Sequence, residues 1–398
     1  MTPAILTINA GSSSIKFALF ETGGGGSAGP RAVMRGSIDD TGEAPSLAIA
    51  GEPEPVAIDA GGAGERRLET LFGALFEVVA DRLAGHRLVA VGHRIVHGGT
   101  RFGAPAVVDE DVLSALERLT PLAPLHQPRG LEPIREMRRL RPELVQVACF
   151  DTAFHRHLAP PVARYGLPRH FEDEGIRKYG FHGLSYEFIA GRLAAIAPDL
   201  VAGRTVVAHL GSGASLCAMK GGRSVDTTMG FSALDGLVMS TRSGAVDPGV
   251  LLYLLSVHRM DAAGLEDLLY HRSGLLGVSG ISGDVRKLIE SGDVRAEEAL
   301  DLYAFRAARE AAAMANSLEG FDGLVFTGGV GEHAAKVRAA ICRRLAWLGV
   351  EIDPEANAAG SGSLVISTGE SRVRVLVVPT DEEHVIARHV LTCMAERT

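Results

Sequence analysis

Three turns built from small residues each follow an apolar run that predicts a β-strand. They are Asn9–Ser14, Gly211–Ala214 and Gly328–Glu332. Glycine and serine leave backbone N–H groups accessible, so these groups can close on phosphate oxygens, and serine hydroxyls can donate further. One such turn is usually a structural feature, but three in one chain favour phosphate binding. A helix predicted after the third turn would add its positive N-terminal end.

Two widespread nucleotide-binding motifs are absent from the sequence. There is no G-x-x-x-x-G-K-[ST] loop, which excludes a P-loop nucleotide site. There is also no G-x-G-x-x-G opening on the first strand, which argues against a dinucleotide-binding fold.

Charged side chains interrupt apolar surroundings at the ends of predicted elements. Asp151 directly follows the strand Leu144–Phe150, at the edge where open α/β sheets bind ligands, although it could equally cap the next segment. Arg94 is predicted just past a short strand, and Arg242 lies in a glycine-flanked loop. Isolated arginines are usually solvated surface residues, so position alone leaves their role open.

Two histidines, His126 and His182, each lie in a predicted loop between apolar residues. Taken singly, each is more often a structural histidine than a functional one.

The elements around these residues begin with a hairpin that is repeated. The strands Ile5–Ile8 and Ile15–Phe20 flank the first turn, and the strands Thr205–Leu210 and Ser215–Met219 flank the second. A lysine accompanies the second strand of each hairpin (Lys16 and Lys220), and the two openings lie about 200 residues apart, which suggests an ancient duplication.

Helices and further strands connect the hairpins. Apolar spacing predicts a helix over residues 68–83, and Asp247 with Pro248 predicts a helix start. The strand Leu324–Phe326 is predicted to lead into the third turn, and a helix is predicted to follow that turn through Leu345. The last helix, His384–Met394, is expected to fold back on the first half of the chain.

The composition indicates a mixed α/β protein. The chain has 398 residues, 46% hydrophobic, which suggests two or three domains or one duplicated unit. Its net charge of −8 gives no reason to expect nucleic-acid or anionic-membrane binding. Neither a membrane-spanning run nor a signal peptide is recognisable, so a cytoplasmic protein is expected. The four cysteines form no metal motif and are expected to be buried thiols, namely Cys149, Cys217, Cys342 and Cys393.

Taken together, the motifs resemble those of the acetate kinases, members of the sugar kinase, heat-shock ATPase and actin superfamily. The resemblance runs through the whole chain. Its strings are Asn9–Lys16, Gly92–Gly99, Pro124–His126, Phe150–His155, Tyr179–Gly183, His209–Gly211, Val225–Pro248, Gly328–Glu332 and Pro379–Glu383.

The resemblance implies an α/β fold of two duplicated ribonuclease-H-like (actin-like ATPase) domains with ATP and the acyl substrate in the cleft between them. Residues 1–150 with 381–398 would form the N-terminal acyl-kinase domain. Residues 151–380 would form the C-terminal nucleotide-binding and dimerisation domain. The implied partners are acetate, ATP and a second copy of the chain in a homodimer.

The resemblance also assigns roles to individual residues. Asn9 and Glu382 would hold Mg²⁺, for which Mn²⁺ could substitute, and Asp151 would be an essential carboxylate. His182 and Arg242 would stabilise the phosphoryl group in flight. The residues assigned to the acid are Arg94, Val96, Leu125, His126, Phe181 and Ala233. The residues assigned to ATP are Ser12, Ser14, Lys16, His209, Leu210, Gly211, Ser212, Gly213, Asp284, Val285, Arg286, Gly329, Val330, Gly331, Glu332 and His333.

Elementary electrostatics agrees with such a reaction. A carboxylate that attacks a phosphate is one anion approaching another, which at ~4 Å and an effective dielectric constant of ~20 costs about 4 kcal/mol per pair of unit charges. Arginines and Mg²⁺ can offset that cost. A carboxylic acid is already ionised at neutral pH, so a general base is dispensable. We therefore favour metal orientation over acid–base catalysis for Asp151, while leaving both open.

Four positions depart from the family pattern. Ser212 and His333 stand where asparagine is usual, and Thr100 replaces a common glutamate. Ala233 replaces a proline in the acyl pocket, and a smaller wall could admit one more methylene, worth only ~1–3 kcal/mol. Propionate or butyrate is therefore an alternative acceptor. A non-catalytic actin-like ATP-binding regulator is the alternative from another functional class.

Overall fold

A computed structural model of the chain describes residues 1–11, 14–22, 29–39, 45–58, 65–83, 85–359 and 362–397. Ser12, predicted to contact ATP, and the glycine-rich turn at residues 23–27 lie outside the described residues.

Fourteen strands occur in the described residues. They are β1 Thr2–Ala10, β2 Ser14–Glu21, β3 Arg31–Asp39, β4 Ser46–Ile49, β5 Val56–Ala57, β6 His86–Ile95, β7 Ala106–Val107, β8 Val145–Phe150, β9 Arg204–Leu210, β10 Ala214–Lys220, β11 Arg223–Thr227, β12 Gly323–Thr327, β13 Leu364–Val365 and β14 Arg374–Val377.

Fifteen α-helices accompany these strands in the same described ranges. They are α1 Glu65–Asp81, α2 Glu110–Glu117, α3 Gln127–Leu140, α4 Arg169–Asp173, α5 Gly183–Ile196, α6 Pro198–Ala202, α7 Pro248–Ser256, α8 Ala262–His271, α9 Gly274–Ser279, α10 Val285–Ser291, α11 Val294–Ser317, α12 Gly328–His333, α13 Ala335–Arg344, α14 Pro354–Ala358 and α15 Glu382–Ala395.

The chain divides into two compact units. The first comprises Met1–Ala153 and Asp381–Thr398, and the second comprises Phe154–Thr380. Asp151 therefore belongs to the first unit. The functions that the resemblance gives to each half remain predictions.

The first unit is built on an eight-stranded sheet in the order β5-β4-β3-β2-β1-β6-β8-β7. β1, β2 and β3 are antiparallel neighbours, whereas β1, β6 and β8 run parallel. Alternate residues of β1 and β2 pack against α1 in the main core of this unit. The last helix, α15, covers the other face, where Ile386 and Val390 lie against Gly92.

The second unit repeats this plan on a six-stranded sheet in the order β11-β10-β9-β12-β14-β13. β9, β10 and β11 are antiparallel neighbours, and β9, β12 and β14 run parallel. The order β3-β2-β1-β6-β8 of the first sheet thus recurs as β11-β10-β9-β12-β14. This recurrence confirms the predicted duplicated α/β architecture.

Two predicted element boundaries were wrong. Arg94 lies within β6, because that strand pairs with β8 as far as Ile95 opposite Phe150. The sequence Gly92-His93-Arg94 resembles a turn, yet a β-carbon at position 92 would lie 2.4 Å from Cγ2 of Ile386, so the glycine serves close packing of α15. The predicted third turn, Gly328–Glu332, belongs to the short helix α12, and the backbone leaves the helical region at Ala334 (φ −98°, ψ 77°) before the predicted following helix, α13, begins.

The predicted start of α7 and the predicted buried thiols are confirmed. Asp247 caps α7 by accepting from the N–H of Gly249, with Pro248 at the first position. All four cysteines are free and buried. Among the described residues, no helix combines the length and apolar character needed to cross a membrane.

Candidate functional site

In the first unit, polar side chains gather where parallel strands end. Asn9 lies near the end of β1, Arg94 near the end of β6, and Asp151 directly after β8. Parallel strands end at one edge of a sheet, so three segments distant in sequence deliver these groups together. Glu382 joins them from the first turn of α15, which Asp381 caps by accepting from the N–H of His384.

Arg94 and Asp151 form a buried bidentate ion pair. Nε of Arg94 donates to both carboxylate oxygens of Asp151 at 3.1 Å, and Nη2 donates to Oδ2. Asp151 is fully buried, and its own N–H donates to the carbonyl oxygen of Ile95 at 3.0 Å. Burial opposes the charge of Arg94, but Asp151 and the nearby glutamates outweigh it and raise the arginine pKa above its ordinary value. Arg94 is therefore a fixed cation.

This pairing leaves a second edge of the guanidinium for another anion. Arginine presents five N–H groups in a planar fork, and Asp151 uses only the Nε–Nη2 edge. Nη1 makes a longer contact of 3.4 Å with Oδ1 of Asn9. The Nη1–Nη2 edge has the geometry to bind a carboxylate bidentately. Asp151 thus orients Arg94, a role that sequence reasoning did not consider.

Asn9 joins two carboxylates of α15. Its Nδ2 donates to Oε2 of Glu382 at 2.8 Å and to Oε1 of Glu383 at 3.0 Å. Burial, and then the charge of Glu382, raise the pKa of Glu383, while Lys16 and Asn9 act in the opposite direction. Glu383 was missed from the sequence, although it adjoins Glu382. Glu383 differs from Glu382 in being buried, which the sequence does not reveal.

The donor set at this edge fits a magnesium ion. Mg²⁺ prefers oxygen ligands and is commonly held by one or two carboxylates, with phosphate and water oxygens completing the shell. Glu382 is partly exposed and supplies such a carboxylate, and its neighbour Asn9 carries an amide oxygen in the same side-chain amide whose Nδ2 contacts that carboxylate. In the ion-bound state, the Glu382 carboxylate and the Asn9 amide oxygen would bind the ion, and the present contact between Nδ2 of Asn9 and Oε2 of Glu382 would be lost.

The other residues predicted to bind the acid or ATP in this unit vary in exposure. Val96 is buried, whereas Leu125 is 39% exposed and His126 is the N-cap residue of α3. Ser14 begins β2 and its carbonyl oxygen accepts from the N–H of Gly11, while Lys16 is exposed and pairs with Asn9 across the hairpin.

Gln127, which sequence reasoning missed, holds the segment after β6. It is fully buried and exchanges two hydrogen bonds of 3.2 Å with the backbone N–H and carbonyl oxygen of His97. A glutamine after a histidine in a proline-rich loop gives no sequence signal for this contact.

In the second unit, side-chain nitrogen atoms of Arg242 and His182 converge on the turn between β9 and β10. A β-carbon at Gly213 would lie 3.1 Å from Nη2 of Arg242 and 3.3 Å from Nε2 of His182. Both side chains therefore aim over the same glycine. A cationic guanidinium and an imidazole beside a glycine, whose backbone N–H is not shielded by a side chain, can together bind an anion.

His182 has an uncommon backbone conformation, and buried hydroxyl groups hold its imidazole ring. Its φ is 57°, which non-glycine residues rarely adopt. Nδ1 lies 2.8 Å from Oγ of Ser215, which in turn lies 2.5 Å from the hydroxyl of the buried Tyr186. These contacts fix the ring and leave Nε2 directed at Gly213.

His209, at the end of β9, stacks on His182. The ring centroids are 4.3 Å apart with a 21° interplanar angle. Nδ1 of His209 lies 2.8 Å from Oγ of Ser185, whose hydroxyl also contacts Oγ1 of Thr380 at 3.0 Å. The predicted nucleotide residue His209 thus belongs to the cluster that orients His182.

The loop that carries Arg242 is rigidly fixed by backbone contacts. The N–H of Ser240 donates to the carbonyl oxygen of Ser212 at 3.1 Å, which ties this loop to the second turn. Nη1 of Arg242 donates to the carbonyl oxygen of Ala233 at 2.9 Å. The segment predicted to line the acyl pocket therefore also orients this arginine.

Phe181, the remaining predicted acyl-pocket residue, is buried next to His182, whereas Ala233 is partly exposed. The carbonyl oxygen of Phe181 lies 2.9 Å from Nε2 of the buried His155. Burial lowers the pKa of His155 to about 4, so this histidine is neutral and structural at neutral pH.

The second turn and the start of α12, which replaces the predicted third turn, lie side by side. Gly328 has a φ of 77°, and a β-carbon there would lie 2.8 Å from the carbonyl oxygen of Leu210, so only glycine fits. Glu332 faces inward: Oε1 accepts from the N–H groups of Gly328 at 3.0 Å and Thr380 at 3.2 Å. Its carboxylate therefore shapes the turn rather than standing ready for a ligand.

The other residues predicted to bind ATP are exposed to different degrees. The side chain of His333 is 68% exposed, whereas Gly331 is buried within α12, next to Val330 and Gly329. Gly211 closes the second turn by donating its N–H to the carbonyl oxygen of Gly213 at 3.0 Å.

Asp284 caps α10 and pairs with Arg286. It accepts from the backbone N–H of Arg286 at 2.8 Å and from Nη2 at 2.9 Å, and these hydrogen bonds lower the pKa of Asp284. Val285 is buried, whereas the Arg286 side chain is 81% exposed. The structure joins this pair to α10.

Known proteins resemble the chain over its whole length. The acetokinase family model matches residues 4–388. The acetate kinase of Rhodopseudomonas palustris strain TIE-1 is 48% identical over 391 residues, covering 98% of both chains. That of Rhizobium meliloti is 46% identical over 396 residues, again covering 98% of each.

Two solved structures share the fold. The acetate kinase of Porphyromonas gingivalis has a TM-score of 0.85 and 36% identity, covering 98% of this chain and 100% of the other. A propionate kinase from Francisella tularensis has a TM-score of 0.88 and 34% identity, covering 98% and 99%. The chain therefore belongs to the acetokinase family and is a phosphotransferase of that family.

Proposed function

We propose that the chain transfers the γ-phosphoryl group of ATP to acetate, reversibly, giving acetyl phosphate and ADP in one direct in-line step. The observation that carries the proposal is the convergence of Arg242 and His182 on Gly213. Family membership favours this enzyme over the non-catalytic ATP-binding regulator.

The convergence matters because the transferring group carries negative charge that develops further in the transition state. Donors that are already in place stabilise that charge without reorganisation, and the loss of one such donor typically lowers the rate about 10²–10³-fold. The hydroxyl groups of Ser215 and Tyr186 hold His182, and Ala233 holds Arg242.

On the acceptor side, Arg94 is the group that would bind the acid. Its Nη1–Nη2 edge suits a carboxylate, and Asp151 prevents the guanidinium from rotating. Acetate is ionised at neutral pH, so its oxygen can attack without a general base. This supports a positional role for Asp151, through Arg94 and the metal, over proton transfer.

Asn9 and Glu382 would hold Mg²⁺, with Mn²⁺ able to replace it. When bound with ATP, the ion would neutralise charge on the β- and γ-phosphates. Lys16 is exposed on β2 and would face the phosphates together with Ser14. Gly211, Gly213 and residues 329–333 would line the nucleotide.

The experiment that tests the proposal replaces Arg242 by Ala and by Lys. We expect kcat to fall about 10²–10³-fold for Arg242→Ala and less for Arg242→Lys, with melting temperatures close to that of the wild type. The matched control is Arg295→Ala, whose exposed side chain pairs only with Asp293 in the described contacts and should leave kcat unchanged. An unchanged kcat for Arg242→Ala would remove the convergence from the mechanism.

A second candidate acceptor is propionate. The similar propionate kinase of Francisella tularensis and the small side chain of Ala233 both favour it. The two acceptors differ by one methylene, so this alternative changes the pocket and not the chemistry.

A homodimer in the cytoplasm completes the proposal. Its support from the structure is α7, whose apolar side chains face outward: Leu252 is 66% exposed and Tyr253 54%. Four neighbouring apolar residues are also exposed, namely Val246, Val250, Leu255 and Val257, and such a surface is typical of a subunit interface.

A further inference from the structure

Arg338, on α13 of the second unit, is a deeply buried cation bound to neutral oxygens. Its exposure is 1%. Nη1 donates to the carbonyl oxygens of Gly331 at 2.9 Å and Glu332 at 2.8 Å. Nε donates to Oδ1 of Asn357 at 2.9 Å, and Nη2 donates to the carbonyl oxygen of Asn357 at 2.6 Å.

The absence of a carboxylate partner makes this burial unusual. Within the described part of the chain, Arg338 forms no ion pair with an aspartate or glutamate. Burial accordingly lowers the pKa of its guanidinium from the ordinary value. A buried charge without a counter-ion is unfavourable, so a residue that only filled space could be apolar at lower cost.

The planar guanidinium of Arg338 donates hydrogen bonds to the end of α12. The carbonyl groups of Gly331 and Glu332 are among the last four of that helix and lack a partner within it. On its other side, Arg338 contacts Asn357 of α14, whose Nδ2 donates to the carbonyl oxygen of Ala335 at 3.0 Å. The guanidinium therefore joins α12 to α14 and fixes the start of α13.

We infer that Arg338 is a positioning residue for nucleotide binding, acting through the carbonyl groups of Gly331 and Glu332. Displacement of α12 would move Gly329 and Val330, and also Glu332, whose carboxylate bonds the N–H groups of Gly328 and Thr380. This inference rests on the proposed function, since that proposal assigns α12 to the nucleotide.

A positioning role and a purely structural role predict different kinetics. If Arg338 only stabilises the second unit, its loss lowers the melting temperature, and the folded fraction binds ATP normally. If it positions α12, its loss weakens ATP binding in the folded protein. Affinity for the acid, which the proposal assigns largely to the first unit, then stays close to that of the wild type.

The test compares Arg338→Met and Asn357→Ala with the control Arg344→Met. Arg344 lies on the same helix and donates to the carbonyl oxygen of Ala340 and to Asp301, away from α12. The dissociation constant for ATP is measured by calorimetry on the folded full-length chain, together with KM for ATP and KM for acetate. We expect the ATP constants to rise about tenfold or more in Arg338→Met, less in Asn357→Ala, and KM for acetate to change less than about twofold.

Each result decides the question. Equal changes in KM for ATP and for acetate, or an ATP dissociation constant that matches the Arg344→Met control, would overturn the inference. If Arg338→Met does not fold, Asn357→Ala decides on the same criterion, because it removes the Oδ1 bond and keeps the arginine. A folded wild-type chain that binds no ATP would overturn the proposed function as well, whereas normal ATP binding by wild type and both variants overturns this inference alone.

Discussion

The guanidinium of Arg94 binds one carboxylate, that of Asp151, and has a second edge that could bind another. Asp151 engages the Nε–Nη2 edge, and the remaining edge is the one with carboxylate geometry. Asp151 thus orients the guanidinium, and the proposed function assigns its other edge to the acid.

Replacing Arg94 by Lys separates these two functions. Lysine keeps a cation beside Asp151 but cannot offer a bidentate edge, so the fold should persist while the acid is bound less well. Loss of a hydrogen bond to a charged group is worth about 1.5–3 kcal/mol, or about a ten- to hundredfold rise in KM for acetate. Steady-state kinetics at saturating ATP measures it.

Arg94→Ala provides the contrasting variant. It leaves the carboxylate of Asp151 buried without its cation, so we expect a loss of several kcal/mol in stability in addition to the higher KM. A normal KM for acetate in Arg94→Lys would contradict the assignment of the second edge to the acid.

For single residues, the sequence predicted candidate functional side chains better than it predicted their contacts. The residue strings indicated Arg94, Asp151, His182 and Arg242 as candidates, and the structure joins them in pairs within each unit. Gln127, Ser215 and Glu383 were missed, because a buried amide, hydroxyl or carboxyl group has no distinctive sequence signature. Whether the candidates perform their proposed roles is what the variants test.

Among the elements, the loop around Ala233 links specificity to catalysis. Its carbonyl oxygen holds Nη1 of Arg242, while its methyl group stands where the family usually has proline. Under the proposed function, the size of the acid and the orientation of the guanidinium would depend on the same short segment.

Ala233→Pro tests this element. The substitution keeps the carbonyl group that accepts from Arg242 and makes the wall larger and stiffer. We expect the ratio of kcat/KM for acetate to that for propionate to rise, within the ~10–200-fold range that one methylene can confer. Equal ratios before and after the change would refute a pocket at this position.

Element boundaries were predictable where local chemistry decides them and unpredictable where distant packing does. Asp247 and Pro248 carry a helix start in their own side chains, and the structure confirms it. Gly92 looked like a turn residue because its actual reason, the approach of Ile386, lies almost 300 residues away in sequence. The glycines of Gly328–Glu332 likewise predicted a turn, yet this segment forms α12, and Arg338 of α13 binds the carbonyl groups at its end.

For the whole molecule, the repeated strand order explains why two weak hairpin signals sufficed to suggest a duplication. Each unit places an antiparallel hairpin beside parallel strands, and each brings small-residue turns to the strand ends. The two copies have diverged in side chains: the first holds Arg94, Asp151 and the carboxylates of α15, and the second holds His182 and Arg242. The fold was predictable because it repeats, whereas the division of polar groups is specific to each copy.

The most direct test of the central claim is the acid specificity of the purified, folded chain with ATP and Mg²⁺. Hydroxylamine traps any acyl phosphate as a hydroxamate, so the rate can be measured for formate, acetate, propionate and butyrate in one assay. We predict rapid hydroxamate formation with acetate, slower formation with propionate, and little with the other two acids. Absence of hydroxamate with every acid, from protein that is folded and binds ATP, would contradict the claim that this chain phosphorylates a carboxylate.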